Sequence, residues 1–216
     1  MSRVVILDFD GVIVESLGIK TQAFRDLFSD YPQHLDQIMS YHLAHNAISR
    51  YIKFEYIVTN ILDEAYDAKR KKELGARFSK LVCQKVIECP YVAGAEEFLQ
   101  FFSSKVPLYL ASASPQEELK VITKARGIDR YFKGIYGTPW EKPDVIRKVL
   151  LEEKVVPEEA IYIGDSKEDY AVAQKTGVPF IGRINEESFD NLGIPVYQDL
   201  FGIKGYLQGD NSLTHL

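Results

Sequence analysis

Short apolar runs that stop abruptly at aspartate or glycine recur along the chain: VVIL before DFDG at 4–7, VPLYLA at 106–111, GIYG at 134–137, AIYIGD at 160–165 and VPFIG at 178–182. Runs of this length without polar alternation predict strands buried on both faces. Between them lie segments with apolar residues at helical spacing: AEEFLQFFSS after Gly94, PQEELKVITKARG, KPDVIRKVLLEEK and SKEDYAVAQKTG. Ser114-Pro115 reads as the start of the second of these, with the proline in its first turn, and Gly127 and Gly177 stand where left-handed C-caps belong. Strands alternating with helices through short loops predict an α/β fold built on a doubly wound parallel sheet, because parallel neighbours need crossover connections.

Residues 16–89 break the rhythm. No strand is predicted there, and apolar residues recur at helical spacing: Ala23, Leu27 and Phe28, then Leu35, Ile38 and Met39, then Ile52, Ile57 and Ile61, with breaks at SDYPQ and HLAHNAIS. The expected organisation is therefore a sheet domain formed by 1–15 and 90–216, with an all-helical insert at 16–89.

Composition narrows the classes without choosing among them. The 216 residues are 46% apolar, 12% aromatic and 26% charged, enough apolar surface to offset chain entropy, so disorder is excluded. No apolar run approaches the roughly 18 residues of a membrane span, and a net charge of −5 argues against non-specific nucleic-acid binding. The N-terminus MSRVVILDFD has acidic residues where a signal peptide needs an apolar stretch, and Cys83 and Cys89 are too few for a disulfide scaffold. A reduced, soluble, cytoplasmic protein is expected, with a monomer compatible and oligomeric state left open.

In open parallel sheets, ligands bind beyond the carboxyl ends of the strands. The residues there are Asp8 and Asp10, Ser112, Lys142 and Asp165. Asp8 and Asp10, two apart at a strand end, point the same way and repel unless a cation sits between them or one takes a proton. Each has a plain structural alternative: an Asp10-Gly11 turn, Ser112 as a helix cap, Lys142 as a solvated helix start, Asp165 and Asp169 as partners of a helix dipole.

DFDGVIVES, LASAS, WEKPDVI and IGDSKEDYAVAQKTG, in that order, resemble the four motifs of the haloacid dehalogenase-like phosphohydrolases, and the helical insert falls where the phosphoglycolate phosphatase and β-phosphoglucomutase branch carries its cap. The resemblance implies that Asp8 is a nucleophile forming an aspartyl-phosphate and that Asp10 protonates the leaving group. It further implies that Ser112, the backbone of Ala113 and Lys142 bind the phosphoryl oxygens. Mg2+ would be held by Asp8, Asp165 and the Asp10 carbonyl, with Asp169 behind them or ligating through water. A second Asp at position 10 separates the chain from dehalogenase members of the superfamily. Mutases of the branch tend to carry a His where Lys20 stands and an acid where Gly164 stands, so the expected activity is hydrolysis of a small phosphorylated metabolite, a sugar phosphate or a phosphoglycolate-like acid. A β-phosphoglucomutase-type mutase is the alternative; an inactive binding module is disfavoured by the intact charged set. Within the insert, AHNAISRYIKFE offers Asn46 and Ala47 as a break and Ser49-Arg50 as the pair matching mutase members. Lys20, Arg50 and Lys53 are thereby expected to read the rest of the substrate. His42 and His45, the run Lys69–Lys72 and the two cysteines are read as structural; Trp140, two residues before Lys142, either walls the phosphate pocket or plugs the loop.

Overall fold

VVIL forms strand β1 (Val4–Leu7) with every residue buried. It lies inside a six-stranded parallel sheet of order β3-β2-β1-β4-β5-β6. The other strands are β2 (Leu108–Pro115), β3 (Gly134–Thr138), β4 (Ala160–Gly164), β5 (Phe180–Arg183) and β6 (Val196–Tyr197). These elements belong to a computed structural model that describes residues 3–45, 48–185, 189–190 and 192–209. The chain divides into two compact units: Met1–Glu15 with Pro90–Leu216, and Ser16–Cys89.

In the first unit the sheet is flanked by helices α5 (Ala95–Phe102), α6 (Gln116–Ala125), α7 (Lys142–Glu153), α8 (Lys167–Thr176) and α9 (Leu200–Gly209), α1–α4 belonging to the second unit. Val4 and Ile6 pack with Val145, Ile146 and Val149 of α7 and Ala173 of α8. Strand alternation turns Val5 and Leu7 to the opposite face, where they are also fully buried. Gly94 (φ 80) and Gly177 (φ 74) supply the left-handed turns before α5 and after α8. Leu7 is paired with Leu110 of β2 on one side and Ile163 of β4 on the other. This register brings Asp8, Ser112 and Asp165 out at the same end of three adjacent strands. The chain builds outward from β1 to β3, then returns to place β4 on the other flank of β1, which makes β1/β4 the switch point.

Several expectations need correction. β2 starts after Pro107 and runs through Pro115, which pairs with Thr138 and, with an extended ψ of 138°, is also the N-cap of α6, so the proline stands one residue before the helix rather than in its first turn. β3 is a half-buried edge strand, not one covered on both faces. β6 and α9 carry no strong sequence signal: one is two residues long, the other (LFGIKGYLQG) is diluted by glycine. Trp140 is exposed and meets Tyr136 edge-on.

The second unit is helical: α1 (Leu17–Leu27), α2 (Leu35–Ala44), α3 (Arg50–Tyr56), which continues into a wider π turn over Ile57–Ile61, and α4 (Ala68–Glu88). Phe24 is its centre, with the rings of Phe54, Phe78 and His42 at 5.5, 4.8 and 4.1 Å. On α3 the inward face is Arg50, Lys53, Phe54 and then Ile57, the i, i+3, i+4, i+7 stripe, which turns Ile52 outward to 49% exposure against expectation. Ser49 is the N-cap of α3 and accepts from the Tyr51 amide, and Asp67 caps α4. The break expected at Asn46 and Ala47 lies outside the described residues. Within the basic run, Arg70 donates to Tyr31 and pairs with Glu64. Cys89 is buried and its thiol donates to the Val86 carbonyl at 3.3 Å.

His42 is buried, with Nε2 3.2 Å from Thr21 Oγ1 and Nδ1 3.3 Å from Lys53 Nζ. Burial, reinforced by the charges of Lys53 and Lys20, pushes its imidazole down from 6.5 to about 3. The unfolded chain therefore binds a proton at His42 that the folded chain refuses, and stability present above pH 6.5 is lost as pH falls toward 3. We expect His42→Gln to lessen this acid sensitivity by roughly 1 kcal/mol per pH unit in that interval, measured by denaturant unfolding at stepped pH. Identical slopes for the two proteins would contradict a neutral, buried imidazole.

Candidate active site

The Asp8 amide donates to the Ile163 carbonyl at 2.9 Å, so the first carboxylate is registered on β4 as the strand ends. The chain then curls tightly: the Phe9 carbonyl accepts from Ile13 at 2.9 Å, and the Gly11 amide donates to Val14 O at 2.8 Å. Gly11 sits at φ 76, and a Cβ there would lie 1.9 Å from Asp165 Oδ2. Only glycine lets the first loop approach the end of β4 so closely.

Asp8, Asp165 and Asp169 are all buried, and one carboxylate oxygen of each falls within 4.8 Å of the others. Lys142, at the start of α7, puts Nζ 2.6 Å from Asp169 Oδ1 and 3.2 Å from Asp8 Oδ1. Asp8 Oδ1 is buried and takes no hydrogen bond, although it lies beside that ammonium. Asp169 is heavily engaged. Lys142 and the Tyr162 hydroxyl both donate to Oδ1, and Ser166 Oγ donates to Oδ2 at 2.7 Å. Asp165 receives a single, longer contact from Asn185 Nδ2 at 3.3 Å.

The titration behaviour follows these contacts. Burial pushes Asp8 up to about 7, with Lys142 opposing and Asp169 and Asp10 adding repulsion. Burial and the charges of Asp8 and Asp169 raise Asp165 well above the carboxylate range. Burial would raise Asp169 as well, but the charge of Lys142 and the donated hydrogen bonds hold it below its ordinary value. Lys142 is held charged, against burial, by Asp169 and Asp8.

Ionising all three carboxylates around the Lys142 ammonium would leave two negative charges uncompensated in a buried site, the charge of one divalent cation. Asp8 and the lightly bonded Asp165 are the carboxylates with capacity to hold it. The residues present fit a hard cation.

Asp10 is buried, and Ser114 Oγ donates to its Oδ2 at 3.2 Å. Ser112 is buried on β2 and accepts the Ser114 amide at 3.1 Å; α6 starts at Gln116 with Pro115 at its N-cap, so Ser112 does not cap it. The β2–β3 ladder is interrupted between Ala111 and Pro115, and Ala113 O instead accepts the Thr138 hydroxyl. The sheet unit thus gathers Asp8, Asp165, Asp169 and Lys142 in direct contact, with Asp10 and Ser112 linked through Ser114. Arg50 and Lys53 are buried within the helical unit: Arg50 lies 4.5 Å over the Phe78 ring and donates to Ser79 Oγ, and Lys53 faces His42. Lys20 is half-buried. Tyr162, Ser166, Ser114 and Asn185 escaped sequence reasoning. Ser166, a Ser three residues before Asp169 at a helix start, was the one with a capping signal.

The model of one family, described as haloacid dehalogenase-like hydrolase, matches residues 5–183. The chain belongs to the haloacid dehalogenase-like hydrolases. It is 35% identical over 80 residues to a 5'-nucleotidase of Pseudomonas aeruginosa, a match covering 35% of this chain and 36% of that protein. A phosphoglycolate phosphatase of the same organism is 21% identical over 187 residues, 82% of this chain and 68% of the relative. The fold is shared with a β-phosphoglucomutase from Clostridium difficile, with TM-score 0.75 and 17% identity over 98% of this chain and 97% of that one. Among the described residues no helix of this hydrolase is long and apolar enough to cross a membrane.

Cation binding should register in stability without any assay of turnover. Saturating Mg2+ at about 100 times its Kd should add roughly 2.7 kcal/mol, a rise of several degrees in melting temperature. Asp165→Asn should melt higher than wild type in chelator, because repulsion is relieved, and should lose the response to Mg2+. A variant responding as wild type does would remove Asp165 from the cation site.

Proposed function

We propose that this hydrolase cleaves phosphate monoesters of small metabolites through an aspartyl-phosphate on Asp8, aided by Mg2+. The observation that carries this reading is Asp8 itself: a buried carboxylate whose Oδ1 takes no hydrogen bond, beside Lys142, with a second Asp two residues on. A nucleophile needs an oxygen not already engaged, and Asp169, with its donors, is engaged.

In the first step Asp8 Oδ1 attacks phosphorus, the ester P–O bond breaks, and Asp10 gives its proton to the departing alkoxide. In the second, Asp10 as carboxylate takes a proton from water, whose oxygen attacks the phosphoryl group. Phosphate leaves and Asp8 is regenerated. Lys142 sets a fixed positive charge beside the attacking oxygen, and Asp169 keeps that charge in place. Ser112 and the backbone at Ala113 are assigned to the phosphoryl oxygens. A divalent cation held by Asp8, Asp165 and the Asp10 carbonyl would offset the repulsion between carboxylate and phosphate.

Hydrolysis is favoured over phosphoryl transfer within a sugar at Gly164. A Cβ there would lie 2.5 Å from Asp169 Cβ, so no acidic side chain fits where the resembling mutases carry one. Reading of the remainder of the substrate is assigned to the helical unit. Of the three residues proposed for it, Arg50 and Lys53 are committed to that unit's interior, which leaves Lys20 as the most exposed.

The test is phosphate release from p-nitrophenyl phosphate and phenyl phosphate, with Mg2+ and with excess chelator, and with a hexose bisphosphate added to expose mutase turnover. Chelator should silence the protein. Asp8→Asn should lose activity by about a thousandfold or more. Asp10→Asn should lose roughly 10²- to 10⁴-fold on phenyl phosphate, and much less on the nitrophenyl ester, whose leaving group needs little protonation. Equal losses on the two esters would remove the acid role from Asp10.

A further inference from the structure

Arg183, the last residue of β5, is a buried cation that the chemistry above does not use. Its guanidinium joins three separate segments. Nη2 donates to Glu15 Oε1 at 2.6 Å and Nη1 to Glu15 Oε2 at 3.3 Å, a two-toothed fork. Nη1 also donates to the Gly11 carbonyl at 3.1 Å, and Nε to the Gln198 carbonyl at 3.0 Å. The planar arrangement of donors suits this task; a lysine, a single point charge, cannot reach all three acceptors in fixed directions.

Gly11 is the weak point of the catalytic loop. It follows Asp10, adopts φ 76, and has more backbone freedom than any other residue type. Both peptides around it are nonetheless tied. The Gly11 amide is bonded to Val14 O, and because amide and carbonyl point oppositely across a trans peptide, this also fixes where the Asp10 carbonyl points. The next carbonyl, that of Gly11, is the one Arg183 holds. Glu15, gripped by the same guanidinium, is bound through its own amide to Pro90 O, so the far end of the loop is tied as well.

We propose that Arg183 is a positioning residue for the Asp8–Asp10 loop, fixing the Gly11 peptide and hence the direction of the Asp10 acid. This rests on the phosphatase reading above. Arg183 touches no reacting atom; it limits how far the loop carrying them can wander. Small displacements of an aligned acid are costly in rate, while ground-state binding of the ester changes little.

The experiment compares Arg183→Met, Arg183→Lys and Glu15→Gln with wild type, using phenyl phosphate and p-nitrophenyl phosphate and recording amide hydrogen exchange over 9–15. With phenyl phosphate, Arg183→Met should lose kcat on the order of 100-fold with KM within about twofold. With p-nitrophenyl phosphate the loss should be about tenfold or less, since that leaving group depends little on the acid. Exchange at 9–15 should quicken while β1 and β4 keep their protection. Arg183→Lys and Glu15→Gln should fall between Arg183→Met and wild type on both readouts. Unchanged kcat and exchange would overturn the proposal, as would equal losses on both esters with exchange faster throughout the sheet, the signature of general destabilisation. Should Arg183→Met fail to fold, Arg183→Lys and Glu15→Gln decide by the same criteria. If wild type cleaves neither ester, the phosphatase reading has failed, and unaltered exchange at 9–15 in the variants overturns the anchor independently.

Discussion

The site in the sheet unit answers to one electrostatic constraint: three carboxylates are buried where β1 and β4 end and α8 begins, with the Lys142 ammonium among them. Ionised groups in a poorly solvated place demand counter-charge or donors. Lys142 supplies one charge, held at the start of α7 by a backbone that packs Val145 and Ile146 onto the sheet. Tyr162 rises from β4, and Ser166 caps α8, to aim their hydroxyls at Asp169. The parallel sheet makes this crowding possible, because a common register ends β1 and β4 within one residue of each other and carries Ser112 of β2 alongside.

Much of this was legible in the sequence because the strands are short, apolar and punctuated. A buried parallel strand needs both faces apolar, and the point where VVIL or AIYIG meets aspartate marks where the sheet meets the site. The helical insert was equally readable, from absent strand signals and a helical spacing at Ala23, Leu27 and Phe28. What escaped has identifiable causes. β6 is two residues of backbone pairing with little side-chain signal. The limit of β2 depended on Pro115 pairing with Thr138, a contact 23 residues away in sequence that local propensity does not encode. Ile52 looked like core and is exposed because Arg50 and Lys53 took the inward face of α3, their stems and heads satisfied by Phe78, Ser79 and His42.

The missed polar residues share a second cause. Tyr162 reads as an apolar strand residue, and its hydroxyl matters only because Asp169 arrives from the next helix. Asn185 and Arg183 follow or end β5 and act on residues 20 and 172 positions away. Such contacts are set by topology: order β1-β4-β5 brings the end of β5 alongside the loop that leaves β1. A motif scan finds residues that meet substrate, because they recur in short patterns. The residues that hold those patterns in place are scattered through the chain, and the fold is needed to collect them.

Asp165 and Asp169 show how far identical chemistry can diverge over one helical turn. Both are buried aspartates, Asp165 directly after β4 and Asp169 in the first turn of α8. Asp169 gathers an ammonium and two hydroxyls, so its charge is cheap to keep, and its oxygens are spent on keeping Lys142 in position. Asp165 meets, among the described residues, one distant amide donor and the charge of Asp8, so its ionised form is disfavoured. The spacing of four that reads alike in sequence thus separates a carboxylate held ionised by its donors from one whose charge is left poorly compensated. The difference lies in the donors each meets: Tyr162 and Ser166 surround one and leave the other alone. By the same logic Asp8 Oδ1, which among the described residues meets the Lys142 ammonium and takes no hydrogen bond, keeps the capacity that the proposed chemistry requires.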